Sequence, residues 1–165
     1  MNSTHRFYGW KTADVTDGRQ RTPRDYYDLL SAAWCAATCA PRMRKDWTPE
    51  NKTLGQCSVT AFLIQDIFGG KVYGIPLEDG SIHCFNDVNG CVFDLTSEQF
   101  GNRKLDYTRC AEQDRRVHFA KEEKRLRYEL LRERLAEALK QQEKTSQDDS
   151  ADTPEGENPW TETGI

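Results

Sequence analysis

The chain lacks any apolar run long enough to span a bilayer. It also lacks an apolar stretch behind Met1–Arg6, so no secretory signal is expected. No Cys-x-x-Cys pair occurs, which removes the common zinc and thioredoxin-type signatures. Histidine is scarce, with three in 165 residues, so each one matters for acid–base chemistry. No block of basic residues stands out, and the net charge is −4. Nucleic acid and membrane are therefore not expected as partners.

What is present is one domain's worth of chain with polar ends. Residues 1–21 are rich in Arg, Thr, Asp and Gly and are expected to be a flexible segment. Residues 143–165 are acidic and too polar to offset the entropy of ordering, so a disordered tail is expected. A single domain is assigned to residues 22–142. The six cysteines (35, 39, 57, 84, 91 and 110) are expected to be reduced thiols in a cytoplasm.

Thr22-Pro23-Arg24-Asp25 reads as a capped helix start. Tyr26, Leu29, Leu30, Ala33, Trp34 and Ala37 then share one face, and Ala40-Pro41 ends this N-terminal amphipathic helix. Residues 41–56 predict a loop, with Arg42-Met43-Arg44-Lys45 as a solvated basic stretch. Trp47 either pins this loop to the core or forms a wall of a substrate cleft. Cys57–Phe68 is apolar almost all round and is closed by Gly69-Gly70, which predicts a buried helix. The period then changes to two. Strands are expected at 71–77, 81–87 and 91–95, joined by tight turns, with a further short strand possible at 104–108. A long charged helix follows over about 112–142, with a stripe of Leu126, Leu130, Leu131, Leu135, Ala138 and Leu139. The stripe packs on its own domain or on a protein partner.

Cys57 stands at the first turn of the buried helix, where free amides and the helix dipole favour a thiolate. Its own N–H and Gln56 are candidates for stabilising an oxyanion. His83 is the one histidine inside the expected core. If Val88-Asn89 form the hairpin loop, His83 faces Asp94; if Asn89-Gly90 form it, Phe85 does, and His83 lies on the same face. Either register puts His83 and Asp94 on one face, whereas Asn86 points to the opposite face and is the weaker third member. Taken singly, each of these residues is more often structural. Zinc held by Cys57, His83, Cys84 and Cys91 is the competing chemistry, but residues 83 and 84 point to opposite faces of a strand. Cys35 and Cys39, four apart on the expected helix, read as incidental small residues.

Cys on a helix, then His on a strand, then an acid on the next strand is an order shared with transglutaminase-like and papain-like enzymes. Gly55–Thr60, Asp66–Gly70, Asp79–Asn86 and Asp94–Phe100 resemble the YunG-like family of small bacterial proteins, as do Trp47–Asn51 and Arg127–Leu131. The resemblance covers roughly residues 25–135. It implies a site at Cys57, His83 and Asp94 without implying a substrate. Cys84 departs from the pattern, since an aromatic residue is more typical after the histidine. The expected fold is a compact α+β papain-like or transglutaminase-like domain, its Cys-bearing helix packed on a small antiparallel sheet. The expected function is a cysteine hydrolase or acyltransferase acting on an amide, peptide or ester bond, with no metal and no cofactor. The alternative is a catalytically inactive member of the same fold that binds a protein partner.

Overall fold

The computed structural model describes residues 5–151. Helix α1 (Pro23–Ala33) starts as its sequence dictates. The Thr22 side chain accepts from Asp25 N, and the Asp25 carboxylate accepts from Thr22 N at 2.8 Å, a reciprocal cap worth about 1 kcal/mol. The helix stops at Ala33, short of the expected Ala40. Trp34 turns extended and donates its indole N–H to Thr60 Oγ1 at 2.9 Å. Thr38 Oγ1 then accepts from Cys35 N and holds a 3-10 turn at Ala36–Thr38, a local bond that competes with helix continuation. The expected loop 41–56 contains two further 3-10 turns, Pro41–Asp46 and Pro49–Asn51, each opened by a proline. Arg42, Arg44 and Lys45 are exposed as expected, and Arg44 also donates to the Ala36, Ala37 and Cys39 carbonyls.

Helix α2 (Cys57–Phe68) has the expected bounds and is buried along most of its length. Strands β1 (Lys71–Pro76), β2 (Ile82–Val88) and β3 (Cys91–Phe93) form the expected antiparallel meander. Val88 pairs with Cys91, so Asn89-Gly90 is the two-residue turn, both residues with positive φ. A fourth strand, β4 (Ala111–Glu112), pairs with β1 and gives the order β3-β2-β1-β4; residues 104–108, expected as a strand, form turns instead. Its two residues are too short for an alternating pattern to register in sequence. Helix α2 packs on one face of the sheet, pinned by Asn86 Nδ2 donating to Ala61 O at 2.8 Å.

The expected single helix over 112–142 is two. Helix α3 (Arg115–Phe119) is capped by Asp114, and helix α4 runs Glu122–Ala151. The break lets Phe119 pack on both Phe62 and Tyr128, at ring separations of 5.4 and 4.8 Å. Helix α4 packs on α1 and α2 through Arg127, Tyr128, Leu131 and Leu135, whereas Leu126, expected in the stripe, is exposed. Residues 143–151 of the expected disordered tail continue α4; 152–165 lie outside the described residues.

The expected flexible segment 1–21 also differs. Its first four residues lie outside the described part, but Phe7 and Ala13 are fully buried. Tyr8 pairs with Asp94, Arg24 bonds to Trp10 O and Asp14, and the Tyr26 hydroxyl donates to Asp17. One buried aromatic, worth roughly 2 kcal/mol, and a set of hydrogen bonds hold what composition marked as unstructured. Among the described residues, no helix is long and apolar enough to cross a membrane.

Candidate functional site

Two local devices place Cys57. Gly55 has φ +69°, and a Cβ there would lie 2.5 Å from Cys39 Sγ, so the chain turns into α2 only with glycine at this position. The first intrahelical bond is Thr60 N to Gln56 O, so the Cys57 and Ser58 amides have no intrahelical partner, and no side chain caps the helix.

The sheet register then gives the thiol its neighbours. Val88 and Cys91 are the hydrogen-bonded pair beside the turn, so Asn86, Cys84 and Ile82 also direct their backbone groups towards the β3 side. Pairing with β3 ends at Asn86–Phe93. Beyond that point the edge of β2 is open, and Cys57 takes it. Its Sγ lies 4.0 Å from Ile82 O. The Cys84 thiol, the Cys84 backbone N–H and the His83 imidazole are near enough to act on its charge. Residues 83 and 84 leave opposite faces of the strand, as expected, yet a sulfur at the strand edge reaches both.

His83 and Asp94 are both 1% exposed. His83 Nε2 and Asp94 Oδ2 are 2.6 Å apart. The second hairpin register is the one observed, with the two residues on the same face rather than directly opposed. Asp94 is held from every side. Its Oδ2 also accepts from Tyr107 Oη at 2.7 Å, and its Oδ1 accepts from Thr96 N and Oγ1 at 3.2 and 3.3 Å. Its backbone N–H donates to Tyr8 O at 3.0 Å. Tyr8 stacks on Tyr107 at 3.7 Å, and Phe100 meets the His83 ring edge-on at 4.7 Å.

The charges follow from these contacts. Cys57 is held well below the ordinary thiol range, first by the Cys84 thiol hydrogen bond and then, against opposing burial, by His83. Cys84 is pushed up in turn by its bond to Cys57 and by burial. Burial works against a charged His83, but the charge and hydrogen bond of Asp94, with Cys57, outweigh it and raise the imidazole to about 10. Burial and Asp94 push the Tyr107 hydroxyl up, so it stays a donor. Both shifts favour the thiolate–imidazolium form of the pair over the neutral one.

Cys57 and His83 open into a cleft of about 500 Å³. Residues 40–43 and Leu77–Ile82 wall it on one side, Gln99 and Phe100 on another, and the start of α4 on a third. Trp47 is not a wall of this cleft; its indole donates to Lys52 O and the ring packs on the core, while Arg42 and Met43 of the same loop take the position expected for it. Gln56 does not serve an oxyanion either. It is fully buried and its Nε2 donates to Cys35 O at 3.0 Å. Asn86 lies on the α2 face and has no part in the His83 pair. Cys91 sits at the far end of the hairpin with its thiol on Thr12 O, away from Cys57, His83 and Cys84. Cys35 and Cys39 flank a 3-10 turn, and Cys39 is buried.

Tyr107 carries no local signal, because only the fold of 94–110 brings it to Asp94. Thr96 reaches Asp94 through a local bond across two residues. His118 lies inside the span expected as one long helix, and the α3–α4 break brings it to the cleft.

No solved structure matches the chain. Over 54 residues, 33% of this chain and 46% of the relative, it is 50% identical to the uncharacterized protein YunG of Bacillus subtilis (strain 168). The matched region is thus less than half of that relative's length. The model of the YunG protein family matches residues 22–140, from the α1 cap to the last buried turns of α4. That span holds Cys57, His83 and Asp94 together with every strand of the sheet, and the protein belongs to the YunG family.

Proposed function

We propose that this protein is a cysteine hydrolase or acyltransferase acting on an amide, peptide or ester bond, a small relative in arrangement of the papain-like and transglutaminase-like enzymes. One observation carries the reading: a thiol at a helix N-terminus is joined through an imidazole to a fully buried carboxylate, and the thiol and imidazole open on a cleft. Purely structural polar groups are seldom arranged so that a thiolate and an imidazolium face open space.

The chemistry runs on this chain's own groups. The Cys57 thiolate attacks the carbonyl carbon, and the negative charge that develops on oxygen is met by the free Cys57 and Ser58 amides of α2. His83 then gives its proton to the leaving amine or alcohol as the carbon–heteroatom bond breaks, leaving a thioester on Cys57. Asp94 occupies Nε2, so Nδ1 is the nitrogen that serves this transfer. Neutral His83 next takes a proton from water or another acceptor, which attacks the thioester. The product leaves with the acyl group, and the thiolate and imidazolium are restored. Asp94 orients the ring and offsets its charge, fixed itself by Tyr107 and Thr96. All six cysteines are free thiols, in keeping with a cytoplasmic enzyme.

The test is site-resolved labelling of the native protein with a chloroacetamide, read by mass spectrometry. Cys57 is expected to react about a hundred times faster than the other five thiols, and His83→Ala to abolish that advantage. Uniform, slow labelling of all six cysteines would refute the enzyme and favour a partner-binding protein. Acyl-thioester capture with activated ester probes, present in the native protein and lost in Cys57→Ala, extends the test to turnover.

A further inference from the structure

The cleft has a third wall that the triad does not use. It is built from His118, Lys121, Glu123, Lys124 and Arg127, and Arg42 adds to it from the loop that walls the other side. Four of these six carry positive charge, and the one acid is already taken, because Glu123 is bridged by Arg127. Arg42 is partly matched by Asp79 at 3.6 Å across exposed surface. Among the described residues, neither Lys121 nor Lys124 has a carboxylate partner. Lys124 Nζ instead meets His118 Nδ1 at 2.9 Å, and His118 Nε2 is 2.9 Å from Gln113 Oε1. An ammonium has only protons to give, so His118 accepts at Nδ1 and donates from Nε2 to Gln113. That bond holds Lys124 in place without cancelling its charge.

The position of these lysines runs against ordinary helix electrostatics. Lys121 precedes α4 and Lys124 stands in its first turn, where the dipole already supplies positive charge and cations are disfavoured. Glu122 and Glu123 complement that helix end, but both lie beside arginines, Glu122 by Arg125 at 4.0 Å and Glu123 by Arg127. The result is a half-buried ammonium and a second exposed one at a positive helix end, both lining the cleft that Cys57 also lines. The thiolate itself is already balanced by His83.

We infer that the cleft takes an amide or ester substrate carrying an anionic group close to the scissile bond, seated against Lys121 and Lys124. This rests on the hydrolase reading and adds the substrate class to it. The carbonyl lies over Cys57 and the α2 amides, and the anion points to the start of α4. Neutral analogues lose the contact with the lysines and gain nothing in return.

The charge preference is measurable without knowing the substrate. Iodoacetate and iodoacetamide deliver the same carbon to sulfur, a sulfur–carbon bond forming as iodide leaves, and differ in one negative charge. A free thiolate repels iodoacetate and prefers iodoacetamide. The ratio of second-order rates at Cys57, iodoacetate over iodoacetamide, is expected to exceed that of N-acetylcysteine by about tenfold or more at low salt. In the Lys121→Gln/Lys124→Gln double variant the ratio falls several-fold; taken within one variant, the ratio cancels any change in thiolate reactivity that both reagents share. Lys124→Arg keeps the preference, and Lys140→Gln, on the exposed part of α4 outside the cleft, leaves it unchanged. A ratio that does not move in the double variant, or moves equally in Lys140→Gln, overturns the inference while leaving the hydrolase reading standing. If Cys57 outpaces the other thiols with neither reagent, the hydrolase reading fails and the inference fails with it.

Discussion

Two histidines line the same cleft and are driven in opposite directions. His83, on the sheet wall, is raised to about 10; His118, on the helical wall, is lowered to about 4. Burial disfavours the charged form of both. The difference lies in what each ring faces. His83 has a buried carboxylate at 2.6 Å and a thiolate on its other side. His118 has the Lys124 ammonium at 2.9 Å and an amide oxygen. One wall thus favours a protonated ring, and the other a neutral ring that brackets a cation. Imidazole in itself is the same in both; its neighbours assign the work.

The largest expected break in this comparison is Asp94→Asn. Without the carboxylate, His83 loses what offsets its burial, and the thiolate loses its counter-ion. Labelling of Cys57 at pH 7 is expected to drop on the order of a thousandfold, while His118 keeps its lowered titration by imidazole NMR. Retained labelling would show that the Cys84 thiol and the helix end suffice for the thiolate.

The pH dependence of stability separates the walls next. Cys57 is lowered from 9.0, so where the folded thiolate forms below 9.0 the unfolded state binds the extra proton and stability rises with pH. His83 is raised from 6.5 to about 10, so above 6.5 the folded state binds the extra proton and stability falls as pH climbs through about 10. Where both act below 9.0 the two slopes oppose each other and flatten the profile into a plateau. His118 adds a loss confined to acid: its stability contribution falls from 6.5 downward and levels off below about 4. Urea titrations across pH are expected to show the plateau in the wild type, an acid limb that is shallower in His118→Gln, and no alkaline fall from this pair in His83→Gln. A His118→Gln profile identical to the wild type would contradict the neutral-bracket role.

The smallest effect is expected for Tyr107→Phe. It removes one of the donors to Asp94 and leaves the stacking with Tyr8. A stability loss of about 1–2 kcal/mol and a several-fold slower Cys57 labelling are expected, with the pH at half-labelling displaced. Thr96 still holds the other carboxylate oxygen, so a thousandfold loss would mean that Tyr107 touches substrate.

Legibility of the site followed locality. Cys57 was readable because the Gly55 turn, the apolar run and the Gly69-Gly70 stop all lie within a few residues of it. The His83–Asp94 pairing was readable because strand alternation fixes a face whichever turn register forms. Gln56 misled, since its neighbourhood suggested a donor at the site while the Cys35 carbonyl, 21 residues upstream, claims its amide. Of the two readings of Trp47 the core pin is the one observed, its indole satisfied by Lys52 O, and the cleft wall is not. The helix past Ala33 and the single helix over 112–142 failed because each break is made by contacts to distant residues: Trp34 with Thr60, and Phe119 with Phe62. Residues 5–21 were misjudged because their composition is polar and their order comes from partners elsewhere.

By itself the sequence determined the elements whose causes are local: the α1 cap, the buried α2 with its thiol first, the hairpins, and the shared face of His83 and Asp94. Tertiary structure decided the rest. Only folding ends β3 at Phe93 and leaves a strand edge for Cys57 to occupy. Only folding brings Tyr107 to Asp94 and sets α4 so that Lys124 lines the cleft. The reason is physical: hydrogen bonding within a turn or strand is set by neighbours in sequence, whereas burial and electrostatic fields are set by whatever the fold brings near.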